Sequence, residues 1–226
     1  PNTRRVFLAD GDALVLSTRR LLKILVALGA AFPYLERVGT YATAQNILNK
    51  SDSELVTLQR KGLKIVYLGL ESGSDEVLTK VDKRVTADEM IQAVQKAKKA
   101  GLLVSIIGIL GLGGAELSAH HAEETGSVVS QMDPDFFSML TLMLVPGTRL
   151  HQEWSEGKFV LLQPEEMLLE LRQVIANLEG LTKCIFRTNH ASNYLPLRGT
   201  LDEDRARLLE TLDSALKCGK EALRPE

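Results

Sequence analysis

Leu63-Lys64-Ile65-Val66-Tyr67-Leu68-Gly69-Leu70-Glu71-Ser72-Gly73-Ser74-Asp75-Glu76-Val77-Leu78 passes without a break from an apolar, β-branched run to a carboxylate and a group of hydroxyls. A few residues on, Thr86-Ala87-Asp88-Glu89 has the Ser/Thr-x-x-Glu spacing of a capping box and opens a long amphipathic helical pattern. Polar side chains therefore stand where a buried strand gives way to a helical segment. In a parallel α/β protein that place is the carboxyl rim of the sheet, where ligands bind.

The same unit recurs along the chain. Strand patterns fall near residues 5–9, 36–41, 64–70, 102–110, 136–145 and 183–187, each followed by a helical pattern. Leu102-Leu103-Val104-Ser105-Ile106-Ile107 and Phe136-Phe137-Ser138-Met139-Leu140 are almost continuously apolar, as parallel strands covered on both faces should be. The helical segments carry matching stripes: Leu21, Ile24, Leu25 and Leu28; Met90, Ile91, Val94 and Ala97; Met167, Leu168, Leu171, Ile175 and Leu178; Leu208, Leu209, Leu212 and Leu216. Ser51 with Glu54 and Thr200 with Glu203 read as capping boxes, Pro164 as a first helical residue, and Gly62, Gly101, Gly180 and Gly219 as helix stops. About five βα units at intervals of roughly 30 to 40 residues fit either an open barrel or a doubly wound sheet, and the pattern alone does not separate the two.

A chain of 226 residues can bury one sizeable core, so a single domain over residues 1–226 is expected. With 27 basic and 29 acidic residues, a net charge of -2 and no local Lys/Arg cluster, nothing points to a nucleic-acid or membrane-surface binder. No apolar run approaches the roughly 18 residues needed to span a bilayer, and no signal segment opens the chain, so the reading is cytoplasmic. Cys184 and Cys218 suggest neither a disulfide framework nor a metal site and read as small, buried or half-buried side chains. The chain starts at Pro1 and enters a strand pattern at Arg5, which leads us to expect native residues upstream.

Four strand ends carry candidate chemistry. In Leu8-Ala9-Asp10-Gly11-Asp12-Ala13-Leu14, carboxylates beside strand-end carbonyls offer an acceptor array for an ammonium group; an Asp-Gly turn with solvated carboxylates and a divalent-metal pair are the alternative readings. Glu71 suits a vicinal diol, while Ser72, Ser74 and Asp75 also suit a helix cap. In Gly111-Leu112-Gly113-Gly114-Ala115-Glu116 the glycines allow close backbone approach. A dinucleotide loop would need Gly or Ala where Glu116 stands. Leu142-Met143-Leu144-Val145-Pro146-Gly147-Thr148 leaves the fifth strand through a turn. Farther on, Asn189, His190 and Asn193 lie in a polar cluster that reads either as a substrate-side cap or as an ordinary loop. His120 and His121 read as a solvated helix start, and His151 as similar.

Taken in order, these segments resemble the S-adenosylmethionine (SAM) rim of radical SAM enzymes, most closely the Elp3-like and methylthiotransferase-like branch, over about residues 5–155. The resemblance implies an α/β fold, a partial (β/α) TIM-like barrel with parallel strands, with residues 156–226 as its C-terminal strand and helices. It implies that Asp10, Gly11 and Asp12 occupy the Gly-Gly-Glu-Pro-like turn that meets the methionine amino group, although Asp10, Asp12 and Ala13 depart from that pattern. It places Glu71 and Ser72 at the ribose, Gly111, Gly113 and Gly114 at the adenosine, and the backbone of Leu142, Met143 and Leu144 along the adenine.

The Cys-x-x-x-Cys-x-x-Cys loop that holds the family's [4Fe-4S] cluster is absent from these residues, and Cys184 and Cys218 do not imitate it. The cluster is expected only with an upstream motif. On this reading the chain binds SAM and generates a 5′-deoxyadenosyl radical once that segment is present, with an electron donor and an unspecified small-molecule or macromolecular substrate; alone it is expected to be inactive. The rivals are a cluster-less barrel that binds a nucleoside, and a metal-dependent TIM-barrel lyase or hydrolase using Asp10, Asp12 and Glu71.

Overall fold

The computed structural model describes residues 2–224. Its elements are β1 (Arg5–Asp12), α1 (Thr18–Ala31), β2 (Arg37–Tyr41), α2 (Ala44–Leu48), α3 (Asp52–Arg60), β3 (Leu63–Glu71), α4 (Asp75–Lys80), α5 (Ala87–Lys99), β4 (Leu103–Leu110), α6 (Gly114–Met132), β5 (Phe136–Thr141), α7 (Arg149–Ser155), α8 (Pro164–Ala176), β6 (Ile185–Arg187), β7 (Arg198–Thr200) and α9 (Leu201–Cys218). The strands lie in one seven-stranded sheet in the order β1 to β7. Pairs β1–β2, β2–β3 and β5–β6 are parallel and β6–β7 is antiparallel. Parallel neighbours in sequential order need a crossover each time, which is what the alternating sequence patterns supply.

Two compact units divide the chain. The first runs through Gly69 and resumes over Asp88–Ile106. Here Leu21 and Leu25 of α1, Leu55 and Leu58 of α3, and Met90, Ala93, Val94 and Ala97 of α5 are buried. The Ser51–Glu54 capping box forms as its spacing predicts, with Glu54 N donating to Ser51 Oγ at 3.2 Å and Ser51 N to Glu54 Oε2 at 2.9 Å. The β1–β2 register jumps from Leu8↔Thr40 to Asp12↔Tyr41, so Ala9, Asp10 and Gly11 stand outside the ladder as a lip. Asp10 (φ 73°) and Gly11 (φ 90°) are both left-handed there.

The second unit comprises Leu70–Ala87 and the chain from Ile107 onward. In it α6 packs on α8, and α8 on α9. Two glycines permit these approaches. A Cβ on Gly73 would lie 2.4 Å from the Glu124 carbonyl oxygen, and one on Gly126 would lie 2.9 Å from that of Val174. The turn after β3 is thereby pressed onto the backbone of α6, and Gly73 N donates to Thr125 Oγ1 at 2.9 Å.

Several features differ from the sequence reading. The strand expected over 136–145 ends at Thr141, ahead of Pro146. β7, a three-residue Arg-Gly-Thr segment without alternating apolar residues, left no sequence signal. The Thr200–Glu203 capping box does not form: Thr200 is held in β7, its side chain makes no cap bond, and its N–H donates to Asp204 Oδ2 at 2.8 Å.

Because main-chain atoms would have to move, Gly73→Ala is expected to cost at least about 2 kcal/mol. Gly29→Ala, on the exposed face of α1 where an added Cβ meets nothing within 4 Å, should gain roughly 0.5 to 1 kcal/mol from helix propensity. Urea denaturation of both variants checks the pair; a Gly73→Ala midpoint equal to the parent's would contradict the close approach.

Candidate functional site

β3 ends in an unusual backbone turn. Glu71 is left-handed (φ 62°), a conformation that costs a non-glycine residue about 1 to 2 kcal/mol. Its half-buried carboxylate stays at the strand end, where Oε1 accepts from Lys83 Nζ at 2.8 Å. The next residue turns inward: Ser72 is fully buried, its Oγ lies 2.7 Å from His121 Nδ1, and it accepts from Ser74 N at 3.0 Å. Ser74 sits at the N-cap of α4 without making a side-chain cap bond, while Asp75 Oδ1 accepts from Ala87 N at 2.7 Å.

From His121 the contacts continue to a second strand end. Its Nε2 has no hydrogen-bond partner and lies 3.7 Å from Glu170 Oε1. Glu170, on α8 and 1% exposed, accepts from Gly111 N through Oε1 at 2.6 Å and from Ser118 Oγ through Oε2 at 2.5 Å. Gly111 is the first residue after β4 and is left-handed (φ 79°). Thus Ser72, His121, Glu170 and Gly111 form a buried series joining the end of β3 to the end of β4.

Burial is the main influence on both ionisable members. It pushes the His121 imidazole down to about 4, against the pull of the Ile109 backbone, with His120 adding a smaller push in the same direction. It pushes the Glu170 carboxyl up to about 7, against the bonds from Ser118 and Gly111. Both shifts favour the uncharged forms, a carboxylic acid beside a neutral imidazole. The hydroxyl–imidazole–carboxyl order is that of a hydrolase triad, but all three groups are enclosed and Ser72 has no access to a substrate.

This corrects the expectation for His121. The helix begins at Gly114, so His121 lies well inside α6, on its buried side with Ala122, Thr125, Val128 and Val129. The i, i+4, i+7, i+8 spacing was present in the sequence. Glu170 was also missed, although it falls on the buried side of α8 with Met167, Leu171 and Val174. His120 is exposed as expected, and His151 is half-buried beside Trp154, ring centroids 5.5 Å apart.

The glycine loop packs first on its own chain. A Cβ on Gly111 would lie 2.4 Å from Met167 Cε, one on Gly113 3.1 Å from Leu117 Cβ, and one on Gly114 2.9 Å from Phe159 Cε2. Leu142 adjoins this loop through its N–H, which donates to the Leu110 carbonyl at 3.0 Å. Leu144 is half-buried and Met143 is 69% exposed.

Other candidates are already engaged. In the first unit, the Asp12 carboxylate accepts from Leu14 N, Thr43 N, Thr43 Oγ1 and Asn46 Nδ2 at 2.6 to 2.9 Å, tying β1 to the start of α2. Asp10 and Gly11 are exposed. In the second unit, Asn193 is buried, donating to the Met139 carbonyl at 2.9 Å and accepting from Thr141 Oγ1 at 3.0 Å, so its segment caps the end of β5. Asn189 and His190 remain exposed, with His190 Nδ1 2.9 Å from Ser192 Oγ. Among the described residues no three His, Cys, Asp or Glu side chains gather as a metal-binding group, and no helix is long and apolar enough to cross a membrane.

The sequence pattern of the Radical SAM superfamily matches residues 1–123, more than half of the chain. The chain belongs to this superfamily. Among curated relatives, the heme chaperone HemW of Bacillus subtilis is 20% identical over 176 residues, covering 77% of this chain and 46% of its own. The tRNA uridine(34) acetyltransferase of Methanocaldococcus infernus is 25% identical over 154 residues, covering 67% and 28%. The chain thus spans less than half the length of these relatives. Among solved structures, the N-terminally deleted Elp3 of M. infernus superposes with a TM-score of 0.64 at 16% identity, over 97% of this chain and 55% of that one. The coproporphyrinogen III oxidase HemN of Escherichia coli gives 0.61 at 16%, over 77% and 39%. These superpositions identify the α/β architecture with the TIM-like barrel of the family, whose members use SAM and a [4Fe-4S] cluster.

The raised carboxyl makes a signed prediction. A folded-state value of about 7 against 4.5 means that Glu170 loses stability for the protein as pH rises from about 4.5 through 7; the lowered His121 value acts oppositely, losing stability as pH falls from 6.5 through 4. Glu170→Gln removes only the first effect. Relative to the parent it should gain on the order of 2 to 3 kcal/mol between pH 5 and pH 8, measured by urea denaturation. A pH-independent difference would contradict a buried, neutral acid.

Proposed function

We propose that this chain is the SAM-binding part of a cytoplasmic radical SAM enzyme. The observation that carries the reading is the pairing of two strand ends in one buried series: a carboxylate acceptor, Glu71, beside Ser72, and a glycine loop whose Gly111 amide is fixed to the same series. In this reading Glu71 accepts the ribose hydroxyls in exchange for, or together with, Lys83. Backbone groups of Gly111, Gly113 and Gly114 and of Leu142 to Leu144 lie along the nucleoside. In the first unit, the exposed Asp10–Gly11 lip offers acceptors to an ammonium, with Asp12 holding that lip in place. Asn189 and His190 are left for a substrate, and Asn193 supports them.

The residues of this chain do not fit the cluster. Of its two cysteines, Cys184 is buried and Cys218 is exposed at the end of α9, whereas a SAM-competent cluster takes three thiolates from one loop. That loop is assigned by this proposal to other residues of the native protein, together with an electron donor. When bound to a reduced cluster, SAM supplies a 5′-deoxyadenosyl radical, and the protein's task is to bind, orient and shield it. The relatives' names run from a heme chaperone to a tRNA acetyltransferase, so the shared fold leaves the substrate open between a small molecule and a macromolecule.

The test uses the native protein, reconstituted anaerobically with iron and sulfide. It should absorb near 400 nm and form 5′-deoxyadenosine under strong reductant, and Glu71→Ala should weaken SAM binding about tenfold to a hundredfold without unfolding it. No 5′-deoxyadenosine from the native protein would overturn the radical reading. Nucleoside binding by a native protein without the three cysteines would favour the cluster-less module instead.

A further inference from the structure

We propose that Glu170 is a positioning residue for the cofactor site: from α8 it holds the Gly111 amide and the Ser118 hydroxyl, and against His121 it backs the Ser72 turn, so that the strand ends bearing Glu71 and Gly111 keep a single geometry. The cofactor part of this inference rests on the reading given under Proposed function; the loop-holding part does not.

Glu170 lies beyond the stretch that matches the family pattern, residues 1–123, in the apolar stripe of α8 between Met167 and Leu171. A carboxyl is a costly occupant of such a place, and a well-packed apolar side chain would serve stability as well or better. Among the described residues no lysine or arginine pairs with it; its contacts are two hydrogen-bond donors and the His121 ring. What distinguishes the site is the donor it faces. Gly111 is left-handed, outside both β4 and α6, and its N–H points into the protein, where Glu170 Oε1 accepts it at 2.6 Å. Its own carbonyl accepts from Gly114 N at 3.0 Å. The orientation of the Gly111 peptide therefore sets the loop through Gly114.

The other oxygen reaches Ser118, on the first turns of α6, and so fixes that helix relative to the loop. His121, one turn farther along α6, stands between Glu170 and Ser72. Ser72 in turn accepts from Ser74 N and directly follows Glu71. Ser72, His121 and Glu170 are enclosed, so Glu170 acts on the cofactor only through the backbone it holds.

The chemistry separates two substitutions. In Glu170→Gln the side-chain carbonyl still accepts from Gly111, and the amide keeps Ser118 Oγ within reach once that hydroxyl turns from donor to acceptor. In Glu170→Met the volume is kept and the Gly111 N–H is orphaned. The experiment is amide hydrogen exchange of the 226-residue chain by NMR, at a pH near 6. In the parent, the Gly111 amide should exchange as slowly as amides inside β4, although it lies in a loop; rapid exchange would overturn the proposal before any variant is made. In Glu170→Met it should exchange at least about tenfold faster, with amides over residues 122–130 of α6 unchanged, whereas Glu170→Gln should match the parent. Leu171→Ala, a cavity variant on the same helix, should lower protection broadly instead of at Gly111.

SAM titration of the cluster-loaded native protein completes the test. Glu170→Met should lose about tenfold in affinity and Glu170→Gln should stay near the parent. Equal Gly111 exchange in Glu170→Met and the parent, or parental SAM affinity in a variant with a loosened loop, would overturn the inference. A native parent that does not bind SAM would instead refute the cofactor reading, leaving the exchange result to stand by itself.

Discussion

A backbone N–H that a left-handed glycine turns into the protein must find an acceptor there, and at Gly111 the acceptor is the carboxyl of Glu170. Much of the second unit follows from meeting that requirement. α8 has to approach the end of β4 closely enough for a glutamate to reach, and Met167, one turn before Glu170, fills the space that any Cβ on Gly111 would take. α6 has to present Ser118 to the second oxygen and His121 to the space between Glu170 and Ser72. Gly73 and Gly126 let α6 sit against the turn after β3 on one side and against α8 on the other.

The electrostatics are those of a neutral polar network. Two ionisable groups enclosed together avoid most of the burial penalty if the proton leaves the imidazole for the carboxyl, since neither is then charged. At the surface end of the series the arrangement is reversed. Glu71 keeps a charged partner, Lys83, and a strained backbone, and its carboxylate remains partly exposed. Rigid, neutral support behind a strained, charged acceptor is a reasonable construction for a strand end that has to present one group outward.

Most strands and helices were legible because their apolar residues repeat at two and at 3.6, and because Ser51, Pro164 and the helix-stopping glycines punctuate them. The strand ends with Glu71 and Gly111 were legible for the same reason, since strand-to-helix transitions mark the rim. Three kinds of feature were not. β7 is too short to show alternation, and Thr200 formed a bond to Asp204 instead of Glu203 once β7 held it. Ser72, Asp12 and Asn193 carry the right chemistry for ligands, but their side chains bond within the protein, to His121, to Thr43 and Asn46, and to β5. His121 was read as solvent-facing and Glu170 was not singled out, although both lie on helical stripes that face inward. A titratable residue interrupting an apolar stripe is the signal that would have found them.

The central claim is that Ser72, His121 and Glu170 act as one unit that fixes both strand ends, and a double-mutant cycle tests it most directly. Ser72→Ala and Glu170→Met, made singly and together, are compared by urea denaturation at pH 6. The two residues share no direct hydrogen bond and communicate through His121, so the account predicts a coupling energy of at least about 0.5 kcal/mol. Additivity within about 0.3 kcal/mol would mean that the two strand ends are held independently, and would contradict the account.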